Sequence, residues 1–152
     1  MEDVRILFKF YSDALEDWTV ESLWARVFDK QNGYYIINNI PFYAPFSFGD
    51  IVSAAYDENE EMLTYQKTIK YSGNSTIQII MMKKDVHINE IREIFNQLSC
   101  ETEKFSAGYF VINVPNGVNY KAIKAKLTEL EDQEVIAYAE LCLDDQHNTQ
   151  TS

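Results

Sequence analysis

The stretch 39–54, NIPFYAPFSFGDIVSA, constrains the fold more than any other part of the chain. It sets Phe42, Tyr43, Phe46 and Phe48 among Pro41, Pro45 and a Gly49-Asp50 turn, then runs straight into an apolar, strand-like segment. Loop backbones stay hydrated and so lie at the surface. A loop this apolar must therefore be folded down over a core or shape a groove, and the chain has to supply that core. At 152 residues it can do so. A chain of this size buries roughly two-thirds of its unfolded surface and needs no disulfide or metal staple.

Around this loop the first half reads as β-structure with short connections. Val4, Ile6, Phe8 and Phe10 alternate with Arg5 and Lys9, the period-two pattern of a half-buried strand. Residues 23–28 and 34–37 flank Asn32-Gly33, a strong hairpin turn. Residues 51–56 form the next strand, 57–61 an acidic turn, and 62–71 the returning strand. This predicts a small, strongly bent sheet or barrel, SH3-like or OB-like.

The second half changes rhythm. Residues 76–82 read as a strand. Ile88, Ile91, Phe95 and Leu98 then share one helical face, as do Ile123, Leu127 and Leu130 after a predicted N-cap at Asn119. A hairpin around Ser106-Ala107-Gly108 separates the two helices, and a last strand covers 135–139. Strand, helix, strand, strand, helix, strand is the order of a ferredoxin-like βαββαβ half. The expected fold class is α+β: a small bent β-sheet or barrel, SH3-like or OB-like, at 1–73 packed on a ferredoxin-like half at 74–143. A polar, aperiodic stretch at 144–152 reads as a disordered tail.

Charge narrows the function classes. Twenty-four acids against thirteen bases give a net charge of −11, shared evenly by both halves. Such a surface repels phosphate backbones, which argues against direct nucleic-acid binding and favours encounter with a basic protein. There is no apolar stretch long enough to cross a bilayer and no signal-peptide pattern at the start, so a cytoplasmic protein is expected. Cys100 and Cys142 then read as reduced, partly buried residues.

No reaction chemistry stands out. His87 and His147 are the only histidines, neither at ligand spacing from another His or Cys, so no metal or cofactor is expected. A Gly-x-Ser-x-Gly elbow is absent, and the five glycines are scattered singly rather than clustered as a phosphate loop. No catalytic residue is assigned. The candidate surfaces are the acidic turn Asp57, Glu58, Glu60 and Glu61, the earlier acidic loop with Asp13, Glu16 and Asp17, and Phe42, Tyr43 and Phe46 of the aromatic loop. A polar turn at 72–76, at the junction of the halves, would suit a cleft.

Three segments in order, 20–25, 39–54 and 72–77, resemble a bacterial family known only as a domain of unknown function, number four-two-six-five. The resemblance runs from the first strand through Leu141-Cys142-Leu143. It implies a small bacterial cytosolic protein without assigned activity, and some members resemble immunity proteins of toxin–immunity systems. The resulting expectation is a non-enzymatic protein that neutralises a basic, nuclease-type toxin by covering its active site with an acidic face. The alternative is a small-ligand or regulatory module with a groove between the halves.

Overall fold

The computed structural model describes residues 3–13 and 15–151. The chain divides into two compact units, Met1–Ser72 and Gly73–Ser152.

In the first unit, five strands close into a barrel in the order β1-β2-β3-β4-β5: β1 (Asp3–Ser12), β2 (Asp17–Asp29), β3 (Tyr34–Ile37), β4 (Ile51–Asp57) and β5 (Met62–Lys70). Neighbours pair antiparallel until the barrel closes through a short parallel contact, Ile6 with Leu63 and Leu7 with Thr64. The alternation seen in the sequence sends Ile6, Phe8, Leu23, Ala25, Ile37, Val52 and Ala54 inward. Gly33 adopts φ +72 at the β2–β3 turn, a conformation glycine reaches without a Cβ penalty.

One sequence expectation needs correction here. Asp17 is not in the first acidic loop but opens β2, paired with Ser12. The β1–β2 ladder is unbroken from Asp3–Arg26 to Ser12–Asp17, so of the described residues only 13, 15 and 16 fall in the turn. Asp17 is a poor strand former, but cross-strand pairing along the whole ladder overrides that local preference.

The second unit follows the predicted element order through β6 (Ser75–Met81), α1 (Ile88–Gln97), β7 (Glu101–Ser106), β8 (Tyr109–Val114), α2 (Tyr120–Asp132) and β9 (Ile136–Cys142), and then adds a short α3 (Asp145–Gln150) that was not predicted. Its four strands lie in the order β7-β8-β6-β9, all antiparallel. Ile88, Ile91 and Phe95 of α1 and Tyr120, Ile123 and Leu127 of α2 pack with Ile77, Ile79, Phe110 and Ile112 of the sheet in one core. His87 and Asn119 are the N-caps, accepting from the Asn89 and Lys121 N–H groups.

The predicted disordered tail is the second correction. Within 144–151 the chain forms α3, N-capped by Asp144; Ser152 lies outside the described residues. His147 is fully buried. Its Nδ1 lies 2.7 Å from the Ser75 hydroxyl, and its Nε2 lies 3.1 and 3.2 Å from the carbonyls of Pro115 and Val118. Gln150 Oε1 accepts the Tyr120 N–H at 2.7 Å, satisfying a donor that the first turn of α2 would otherwise leave open. Hydrogen bonds to distant backbone hold the segment, so no apolar period announces it.

A candidate partner-binding surface on the first hairpin

Strand alternation gives the β1–β2 hairpin two unlike faces. Leu23, Ala25, Ile6 and Phe8 point into the barrel, which leaves Lys9, Tyr11, Trp18, Val20 and Trp24 on the outer side. Trp18 is 70% exposed, Val20 54% and Tyr11 50%. The Tyr11 and Trp18 rings meet edge to face with centroids 6.1 Å apart, as directly opposed positions allow. Further along the same face, the Arg5 guanidinium lies 4.8 Å from the centroid of the Trp24 ring. Large apolar side chains grouped on one solvent-facing strand pair are the kind of patch that marks an interaction surface.

Acids border this patch. Asp13 and Glu16 are exposed in the turn, and Asp17 Oδ1 accepts the Trp18 N–H at 2.7 Å. From the β4–β5 turn, Glu60 reaches Lys9 at 2.9 Å. The Lys9 ammonium is thereby pushed above its usual pKa, first by the Glu60 hydrogen bond, then by the Glu60 charge, with a smaller contribution from Asp57. Lys9 stands opposite Val20, so this pair brings the β4–β5 turn beside the apolar patch. Glu58 and Glu61 are exposed on that turn. Asp57 instead shapes the turn backbone, its Oδ1 accepting the N–H groups of Asn59 and Glu60. Glu16 and Glu61 both hold left-handed backbone, φ 54 and 56.

The aromatic loop lies on the other side of the hairpin. Phe46 packs against Phe8 and Tyr65, each with centroids 4.8 Å away, as part of the barrel interior. Glu21, paired with Phe8 across the ladder, turns its carboxylate to the loop backbone. It accepts the N–H groups of Phe42 at 2.8 Å, Tyr43 at 3.0 Å and Ala44 at 2.7 Å. At the far end the buried Asp50 accepts from the Ser47 and Ser72 N–H groups. Phe42 is half-buried and Tyr43 is exposed. The loop therefore buttresses the hairpin from beneath, whereas the acids group around its outer face.

Sequence reasoning missed Tyr11, Trp18 and Val20 as surface residues and Glu21 as the loop's anchor. The alternation could have found the first three: Trp18, Val20, Ser22, Trp24, Arg26 and Phe28 occupy one parity of β2, opposite to buried Leu23 and Ala25. Nothing in the sequence marks Glu21, whose partners lie 21 to 23 positions away.

Elsewhere, Cys100 is buried in the second unit's core, and burial, with the Glu101 charge adding, pushes its thiol up to about 12. Among the described residues no three His, Cys, Asp or Glu side chains converge as metal ligands, and no helix is long and apolar enough to cross a membrane.

The family model described as Domain of unknown function (DUF4265) matches residues 21–138, most of the chain. The protein belongs to this family. A crystal structure of a hypothetical protein from Neisseria gonorrhoeae is similar in fold, with a TM-score of 0.81 and 24% identity over 95% of this chain and 97% of that one. No curated protein matches the chain. The part matched by the DUF4265 model takes in the Glu21 anchor, the aromatic loop and the acidic β4–β5 turn, while Tyr11 and Trp18 precede it.

Proposed function

We propose that this DUF4265 protein is a non-enzymatic binding protein that docks a basic protein partner on the outer face of its first hairpin. The observation that carries this reading is the exposed Tyr11, Trp18 and Val20 cluster bordered by carboxylates. Interface anchors are rich in Trp and Tyr, and a charged rim selects the sign of the partner and speeds encounter. The chain's net charge of −11 adds long-range attraction for a cation-rich surface. In its most concrete form the proposal is an immunity protein acting in the cytoplasm, which occludes the basic active-site cleft of a cognate bacterial toxin. Such a protein needs only a stable scaffold and a complementary surface. We take that scaffold to be an SH3- or OB-like barrel joined to a ferredoxin-like half; the strand order β7-β8-β6-β9 supports the latter.

The test is affinity capture of the tagged protein co-expressed with its chromosomal neighbours, washed at low and then high salt. A stoichiometric basic partner, toxic when expressed alone and released by salt, is the expected result. Reversing Asp13, Glu16, Glu58 and Glu61 to Lys should abolish both capture and protection. Capture and protection that survive all four reversals would refute the proposed face.

A further inference from the structure

The outer residues of β1 and β2 face each other in pairs, and the pairs are filled unequally. Arg5 stands opposite Trp24, Lys9 opposite Val20, and Tyr11 opposite Trp18. In the first pair the ring already carries a cation, with the Arg5 guanidinium 4.8 Å from the Trp24 centroid. In the second, Lys9 is neutralised by Glu60 at 2.9 Å. In the third, two exposed rings meet each other, and among the described residues no cation stands over either. Yet this third pair adjoins the most acidic part of the hairpin, with Asp13 and Glu16 in the turn and Asp17 next to Trp18.

Resting on the partner-binding reading above, we infer that the Tyr11–Trp18 pair is a seat for an arginine side chain of the basic partner. The Arg5–Trp24 contact is the intramolecular precedent on the same face. A guanidinium is planar and weakly hydrated, so it can lie on an indole while its N–H fork donates to a carboxylate. A lysine ammonium is a compact, strongly hydrated charge and does both less well. The exposed carboxylates of Asp13 and Glu16, in the turn that the Tyr11–Trp18 pair adjoins, supply acceptors for the second half of that recognition. A second copy of this chain is a poor occupant, because two bodies of charge −11 repel.

The probes are two peptides of equal charge, hexa-arginine and hexa-lysine, titrated into the full chain at low salt. The readout is the indole N–H resonances of Trp18 and Trp24, assigned with Trp18→Ala and Trp24→Ala. The expected result is that hexa-arginine moves the Trp18 signal and binds about two- to fivefold more tightly than hexa-lysine, the range of a solvent-exposed cation–π contact. Trp18→Ala, at a position already exposed to solvent, should erase that preference while leaving the circular dichroism spectrum unchanged. The triple variant Asp13→Asn, Glu16→Gln, Asp17→Asn should weaken both peptides. Equal affinities with an unmoved Trp18 signal would overturn the arginine seat, while the acidic surface stands if the triple variant still weakens both. If the triple variant also binds both peptides unchanged, the surface reading falls with it.

Discussion

Removing the Glu21 carboxylate should unfasten the aromatic loop, and the size of the effect follows from three hydrogen bonds. Glu21 accepts the backbone N–H groups of Phe42, Tyr43 and Ala44 at 2.8, 3.0 and 2.7 Å. A hydrogen bond to a charged group contributes about 1.5–3 kcal/mol. The three share one carboxylate, and the exposed backbone near Tyr43 can recover a partner from water, so the contributions do not add fully. A loss of about 3 kcal/mol is the expected cost of Glu21→Ala. At about 4–8 °C per kcal/mol for a unit of this size, the melting transition of the barrel unit should fall by at least roughly 10 °C. Glu21→Gln retains one carbonyl oxygen, which can still serve the two N–H groups now bonded to Oε1, and should fall between the two. Thermal melting followed by near-ultraviolet circular dichroism would report the transition. Amide hydrogen exchange at 42–44 would report the loop itself. A Glu21→Ala variant that melts within about 2 °C of the parent, with those amides equally protected, would refute the anchor.

Three further outcomes follow from the same geometry. His147→Ala leaves the Ser75 hydroxyl without its imidazole partner inside the second unit and frees α3 from the 115–118 carbonyls, so urea denaturation should show a loss of about 2–4 kcal/mol; an unchanged midpoint would mean that α3 does not hold the unit. The Cys100 thiol sits near 12 when folded against an ordinary value of 9.0, and the folded state therefore keeps its proton longer than the unfolded one. Its contribution to stability is complete below pH 9 and declines as pH rises from 9 towards 12, so Cys100→Ala should flatten the alkaline limb of the stability profile. Glu61→Gly relieves left-handed backbone at φ 56 and should raise stability by about 0.5–1 kcal/mol in thermal melts while weakening partner capture; reduced stability would show that the Glu61 side chain holds the turn.

How legible the molecule was in its sequence depended on the distance over which each feature is decided. Val4, Ile6, Phe8 and Phe10 betrayed a strand because alternation is a property of adjacent residues, and the sheet needs no more than that to choose a face. Asn119 was readable as a cap because a cap acts on the backbone two residues away. The segment 144–151 was misread because its order comes from Ser75, Pro115 and Val118, a contribution invisible to local composition. Asp17 was placed in a loop for the same reason: only its partner strand draws it into the ladder.

By itself, then, the sequence determined that an apolar loop needed a core, that a β-rich half of about five strands would precede a strand-helix alternation, and that the surface would be strongly acidic. These properties are carried by periodicity, composition and charge, which folding cannot change. Tertiary structure alone decided which side of the first hairpin the aromatic loop would occupy. By covering the inner face, through Glu21 and Phe46, it left Tyr11, Trp18 and Val20 to the solvent. The barrel has one interior to fill, and each strand can offer it only one of its two faces.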